Sequence, residues 1–424
     1  MTATAQTPIA QRVTDDCLTA ACGPGRTNVN ASMNTSIEVD YWIVDTNGRF
    51  ADPGALSGVA TRPGERRARS LVRVSTPTCE TIPELRAAFV AALQDVFSRA
   101  AKRDKRLVPF ATPINGATID ERPRKRGRIL KEATGTSVDH ATYCAGTHVR
   151  IEERNAIDQL NTLLALDPAL ALVNSSPYVR GERVANGARA SRLRRTCDEP
   201  SLGDGRCRRY VDTVGEWDRR LEYRYERVKT AAVEAGVDAE AFEEHISSDD
   251  VVWTPVRLRE GAPTVEWRSP DTALPSQLLR LVEELEAVME RLQHAAVRID
   301  ESSGVGNRRD RTHSGGSAGL AGGRDRTWHG NGGLPAPPGR VARDGVTLPD
   351  LETVRALVER AIHDGLESAA VASYLERMGF SVDSYHPIAT RIDGRQYVTR
   401  ADARELRLEY ANRLEEDVAE LASP

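Results

Sequence analysis

The stretch Ser36-Ile37-Glu38-Val39-Asp40-Tyr41-Trp42-Ile43-Val44-Asp45 alternates apolar and polar residues with a period of two. A strand sends successive side chains to opposite faces, so Ile37, Val39, Tyr41 and Ile43 fall on one side and Glu38, Asp40 and Trp42 on the other. Two distant segments repeat the pattern. In Cys144-Ala145-Gly146-Thr147-His148-Val149-Arg150-Ile151, His148 and Arg150 oppose Val149 and Ile151. In Pro263-Thr264-Val265-Glu266-Trp267-Arg268-Ser269-Pro270-Asp271, Glu266 and Arg268 oppose Val265 and Trp267. If the three share a sheet, carboxylates, an imidazole and guanidinium groups line one surface, which suits metal and nucleotide chemistry.

Outward from the first strand, Asp45-Thr46-Asn47-Gly48 is a turn signal and Leu71 to Thr76 a returning strand, together an antiparallel ribbon. Thr81 followed by Glu84 is a capping-box pattern. Behind it Leu85, Phe89, Leu93, Val96 and Phe97 recur at helical spacing, predicting a helix over about 82–103. Leu107-Val108-Pro109-Phe110 reads as a buried strand. Asn155 to Val173 reads as helical with a break at Asp167-Pro168, where Asp167 can cap the second segment. Apolar spacing predicts further helices over Tyr210 to Gly236, Gln277 to Ile299, Leu348 to Met378 and Arg400 to Leu421. The irregular order and the hairpin-like pieces predict an α+β architecture, an antiparallel sheet backed by helices, rather than a doubly wound parallel sheet.

Composition sets the domain plan. Residues 1–32 are small and polar without periodicity, a disordered tail ahead of Met33-Asn34, which reads as a second start. The three strands fall in a domain over 33–301. Residues 302–345 turn to Gly, Arg, Asp, Ser and Pro, a linker or insertion that cannot build a core, and 346–424 reads as a C-terminal helical segment. With 424 residues, 40% of them hydrophobic, the chain can fill one large or two ordinary domains.

A net charge of −4, with both signs interspersed, exerts no global pull on nucleic acid. The local runs Arg122 to Arg128 and Arg192 to Arg195 read as solvated surface or as anion-binding loops. No apolar run approaches the ~20 residues that span a bilayer, and the first residues lack a basic region followed by an apolar core. Six scattered cysteines form no C-x-x-C pair and read as reduced thiols, with a Cys197–Cys207 bridge as the alternative. The expectation is a cytoplasmic protein without nucleic-acid or membrane partners, acting on small molecules, with a homo-oligomer left open.

Each polar pair also has a structural explanation. Glu38 and Asp40 could ligate Mg²⁺ or Mn²⁺, yet any half-exposed strand alternates this way. His148 could be a satisfied structural histidine, and Glu266 with Arg268 a surface ion pair worth little. No G-x-x-x-x-G-K-[ST] or G-x-G-x-x-G occurs, so a nucleotide site here is of another kind.

The same residues carry a resemblance. Glu38-Val39-Asp40 resembles the E-x-E strand of the glutamine synthetase-like superfamily, Gly146-Thr147-His148 its Gly-x-His strand, and Glu266-Trp267-Arg268-Ser269-Pro270-Asp271 its E-x-R-x-P-D strand. Thr76 to Glu80, Leu107 to Pro113 and Asn174 to Tyr178 support it. Within the superfamily the chain is most similar to the group 2 glutamate-cysteine ligases, or carboxylate-amine ligases, of haloarchaeal type. The resemblance implies a curved antiparallel sheet whose concave face binds ATP with divalent ions, in a catalytic domain over 33–301. Glu38, Asp40 and Glu266 would then be ligands of Mg²⁺ or Mn²⁺. His148 would contact nucleotide or metal, and Arg268 would be the catalytic phosphoryl contact. The chain departs from the family pattern at Arg73, where a glutamate is frequent, and at Arg150, where a histidine is. Two cations gained and one acid lost on that face should weaken Mg²⁺ binding.

The function so implied is ATP-dependent ligation, with the γ-carboxylate of glutamate activated as an acyl phosphate and attacked by cysteine or another amine. A kinase of the same fold, acting on a carboxylate or guanidino group, is the enzymatic alternative. A degenerate homologue that binds nucleotide or amino acid is the other.

Overall fold

The computed structural model describes residues 33–54, 56, 70–116, 125–134, 144–197, 209–251, 254–259, 263–300, 339–343, 345–392 and 394–423. The tail expected over 1–32 and most of the stretch expected as linker lie outside them. Six strands form the main sheet: β1 (Thr35–Asp45), β2 (Leu71–Ser75), β3 (Lys105–Val108), β4 (Thr147–Glu152) and, after a small ribbon of β5 (Tyr178–Val179) and β6 (Glu182–Arg183), β7 (Val256–Leu258) and β8 (Thr264–Trp267). The order is β2-β1-β4-β8-β7, with β3 on the far end of β1. All pairings are antiparallel. Helices pack on this sheet, the α+β arrangement expected, and β1, β4 and β8 are neighbours.

On one face Ile37, Val39, Tyr41 and Ile43 are fully buried against Leu85, Phe89 and Leu93 of helix Ile82–Ala101 and Leu278, Leu281 and Leu285 of helix Pro275–Arg291. Each such side chain contributes roughly 1.5–3 kcal/mol on burial. The first helix starts where expected: Thr81 Oγ1 accepts the Glu84 N–H at 3.3 Å. The Glu84 carboxylate accepts the Glu80 N–H at 3.0 Å, one residue short of closing a capping box. Thr81→Ala should therefore lower stability by about 1 kcal/mol. An unshifted urea midpoint would show that Glu84 alone starts the helix.

The other face of β1 is divided. Trp42 and Val44 are covered by a second apolar cluster containing Phe110, Tyr178, Tyr410 and Ala411, under helix Arg400–Ala422. Glu38 and Asp40 stay half-buried. From the covering helix, Arg407 donates to the carbonyls of Gly48, at 2.8 Å, and Asn115, at 2.7 Å. Gly48 turns with φ +71°, and a Cβ there would stand 2.6 Å from the Arg404 carbonyl oxygen, so only glycine fits. One half of the face is thus apolar and closed, and the other is polar.

Three expectations are corrected. The break after helix Ala156–Ala165 falls at Asp167-Pro168, but Asp167 does not cap the 3₁₀ segment Asp167–Val173. Its carboxylate instead accepts the Trp267 indole N–H at 3.1 Å and the Ser269 hydroxyl, partners a hundred residues away. The helix expected to reach Ile299 ends at Arg291, and β9 (Ala296–Ile299) follows. That strand pairs in parallel with β11 (Gly345–Leu348), itself antiparallel to β10 (Arg340–Val341). A partner strand fifty residues on supplies the backbone bonds, which no local window reveals. Leu348 is strand rather than helix because Pro349 follows it. Asp350 then accepts the Thr353 N–H at 2.9 Å to open helix Leu351–His363, and a 3₁₀ turn at Gly365–Glu367 separates it from helix Ala369–Arg377.

Val354, Val358, Leu414 and Val418 belong to the same core as Ile37 and Val39. Among the described residues no single helix is long and apolar enough to cross a membrane, and neither Cys79 nor Cys144 is in a disulfide.

Candidate functional site

Strand register assembles the polar half of the sheet. Glu38 lies opposite His148, and Asp40 opposite Arg73. Glu266 has Arg150 as its partner on one side and Arg257 on the other. Ligating atoms of Glu38, His148 and Glu266 all lie within 4.8 Å of one another. His148 Nδ1 stands 3.7 Å from Glu38 and 3.5 Å from Glu266. Asp40 is not in this triplet. Arg73 grips it bidentately, at 2.8 and 3.1 Å, and also donates to Glu38 at 3.3 Å.

Glu266 is 0% exposed. Arg257 Nε donates to its Oε2 at 2.5 Å and Arg150 Nε to its Oε1 at 3.1 Å. Through Nη2, Arg150 also reaches Glu38 at 2.7 Å, so one guanidinium bridges two carboxylates. Arg268 and Arg259 stand farther out, 3.8 and 3.9 Å from Glu266. A surface ion pair between Glu266 and Arg268 is therefore excluded as the explanation of Glu266: it is the buried hub of several cations.

The surroundings set the ionisation. Burial works against the charge on Glu38, but His148 and Arg150 outweigh it and hold the carboxyl down at about 2. Burial opposes ionisation of Glu266 too, and His148, Arg268 and Arg257 hold it well below the usual carboxylate range. Burial and the adjacent Arg150 push the Arg259 guanidinium below its ordinary value.

Arg257 and Arg259 lie outside the three motif strands. Their signal was present in Val256-Arg257-Leu258-Arg259, another period-two stretch, which runs up to the Pro263 segment. Arg189 also lies outside those strands. It is 6% exposed and donates to the carbonyls of Ser269, at 2.8 Å, and Arg268, at 3.0 Å, fixing the chain beyond β8. Gly146 makes room for it, since a Cβ at 146 would stand 2.3 Å from Arg189 Nη2.

Asp271, behind the site, accepts the Ser175 N–H at 3.0 Å and is 3.8 Å from Arg189. Complete burial nevertheless raises its carboxyl from 3.8 to about 6. The folded chain thus takes up this proton before the unfolded chain does. The resulting stabilisation is complete below about pH 4 and is lost as the pH rises through about 6. The melting temperature should rise as the pH falls from 7 to 5, and that rise should be missing in Asp271→Asn, whose amide oxygen can still accept the Ser175 N–H. Equal slopes in the two proteins would assign the titration to another group.

A divalent ion would compete for the carboxylates of Glu38, Asp40 and Glu266 with guanidinium groups, one of which already contacts each expected ligand. Arg73 holds Asp40, Arg150 bridges Glu38 and Glu266, and Arg257 holds the remaining oxygen of Glu266. As paired, the donor set does not fit Mg²⁺ or Mn²⁺.

No protein-family model and no curated protein matches the chain. Among solved structures, it is similar to the glutamate-cysteine ligase of Francisella tularensis in complex with AMP, over 92% of this chain and 92% of the ligase, at 12% identity and TM-score 0.48. It is also similar to a bifunctional glutathione synthetase from Pasteurella multocida over 92% of this chain, at 13% identity and TM-score 0.41. The match spans about half of that synthetase, 53% of its length. Both likenesses are distant.

Proposed function

We propose that the chain is an ATP-dependent carboxylate-amine ligase that joins glutamate, through its γ-carboxylate, to cysteine or another amine. The observation that carries this reading is the meeting of Glu38, His148 and Glu266 within 4.8 Å, from three motifs read separately in the sequence. A carboxylate does not acylate an amine at neutral pH. Transfer of the γ-phosphoryl group of ATP to a carboxylate oxygen gives an acyl phosphate; the amine attacks the carbonyl carbon, and phosphate leaves. Arg268 would face the transferring phosphoryl oxygens and offset the charge that develops on them, with Arg259 on the same rim. His148 would contact the nucleotide. The divalent ion of the family reading would supply further charge neutralisation from Glu38, Asp40 and Glu266, but the arginines on those carboxylates oppose it.

The bridge made by Arg150 favours a second reading, a homologue that binds nucleotide or amino acid with little turnover. An ADP-release screen of the full chain with ATP separates these, run with and without Mg²⁺ or Mn²⁺ across amino-acid pairs. Release that requires both glutamate and an amine supports the ligase. Release with one acceptor alone marks a kinase, and no release under any condition sinks the enzymatic reading.

A further inference from the structure

We propose that Arg189 is a positioning residue for Arg268: from inside the protein it fixes the chain at 268–270 and so aims the Arg268 side chain into the polar face beside Glu266. The effect on turnover rests on the reading above; the effect on the backbone does not. The regular ladder ends just before this segment. On both sides of β8 the last pair is made by Trp267, with Val149 of β4 and with Val256 of β7. Beyond it the Arg268 N–H donates to the Pro255 carbonyl at 2.8 Å and the Thr147 N–H to the Pro270 carbonyl at 2.9 Å, while Pro270 has no N–H to give. The Arg189 guanidinium supplies what the strands leave out. It donates to successive carbonyls, of Arg268 at 3.0 Å, Ser269 at 2.8 Å and Pro270 at 3.2 Å.

The guanidinium is itself held in place. Arg189 lies in the first turn of helix Ala188–Cys197. Just ahead of it the Gly187 N–H donates to the Ile362 carbonyl at 2.8 Å and the Asn186 N–H to that of His363 at 3.3 Å, at the end of helix Leu351–His363. On the site side it lies against Gly146, where a Cβ would come within 2.7 Å of Nε, Cζ and Nη2. A planar cation with several N–H groups can serve neighbouring carbonyls at once, which no apolar side chain can do. Packing alone does not call for that cation. Arg189 is 6% exposed, and among the described residues the one carboxylate within 4 Å of it is Asp271, at 3.8 Å. Desolvating a charge with so distant a partner costs stability, and what the charge holds is the backbone that carries Arg268.

The test combines amide hydrogen exchange with ADP release, both on the full chain. Arg189→Lys keeps the charge and loses the planar fork; Gly146→Ala keeps Arg189 and displaces its guanidinium. In each, the amides of Arg268 and Thr147 should exchange about tenfold faster, while those of helix Ile82–Ala101 keep their rates. The kcat of ADP release should fall by about tenfold to a hundredfold at nearly constant KM, the scale of a small misplacement at a reacting centre. A merely structural role would lower the melting temperature and leave kcat per folded molecule unchanged. On a background of Arg268→Ala, adding Arg189→Lys should cost less than about twofold more, since an absent side chain cannot be misaimed. Should Arg189→Lys not fold, Gly146→Ala carries the same comparison. Unchanged exchange in the folded variants, unchanged kcat where Arg268→Ala lowers it, or a full further loss on top of Arg268→Ala would each overturn the inference. A wild-type chain that releases no ADP under any condition removes the ligase reading and leaves the exchange rates to decide the inference. Release of ADP with unchanged exchange in both variants keeps that reading and removes the inference.

Discussion

Glu266→Gln should lower the free energy of unfolding by about 3–5 kcal/mol, the range for removing one partner from a buried charge cluster. The amide keeps the shape of the side chain and loses the charge that Arg150 and Arg257 contact directly and that Arg259 and Arg268 face from 3.8 to 3.9 Å. Arg150 would keep Glu38, whereas Arg257 would lose its 2.5 Å ion pair. Sequence reasoning, which treats Glu266 as a metal ligand, expects this variant to lose ATP turnover with its fold intact. The complete burial of Glu266 adds a folding cost. Urea denaturation of the variant decides the matter, and a loss under about 1 kcal/mol would remove Glu266 as the hub of the cluster. A double-mutant cycle with Arg257→Gln should show coupling, since the two side chains touch at 2.5 Å.

Arg268→Ala should reduce ADP release by roughly a hundredfold to a thousandfold, the loss seen when one preorganised donor to developing charge is removed. The fall should appear in kcat rather than KM if Arg268 acts on the transferring phosphoryl group instead of on bound ATP. Stability should change much less than in Glu266→Gln, because Arg268 stands 3.8 Å from Glu266 and its side chain is 19% exposed. A rise in KM at constant kcat would reassign Arg268 to holding ATP in the ground state. Turnover unchanged in both constants would take Arg268 out of the site.

The site was legible in the sequence as a set of faces. Glu38, His148 and Glu266 each stood on the polar side of an alternating segment, and all three project into one cluster. Arg73 and Arg150 were legible as departures that bring positive charge to that side. Which cation meets which acid was not. Arg150 bridges Glu38 and Glu266 because β4 lies between β1 and β8, and Asp40 is held by Arg73 because the register of β1 and β2 sets them opposite each other. Arg257 and Arg259 were visible as an R-x-R alternation, but the hairpin that turns them toward Glu266 was not.

Local chemistry determined β1, β2, β4 and β8, the apolar side of each and the start of helix Ile82–Ala101: alternation places Ile37, Val39 and Tyr41 together whatever lies beyond them, and Thr81 caps its helix from three residues away. Tertiary structure decided everything that depended on partners distant in the chain. The parallel pairing of β9 with β11 turned an expected helix end into a strand, and Trp267 drew Asp167 away from its expected cap. Trp42 shares the face of Glu38 and Asp40, yet lies under an apolar cluster assembled from residues 71 to 411. A period of two fixes which way a side chain points; the free energy of burial and charge pairing, summed over segments a hundred or more residues apart, fixes what it meets.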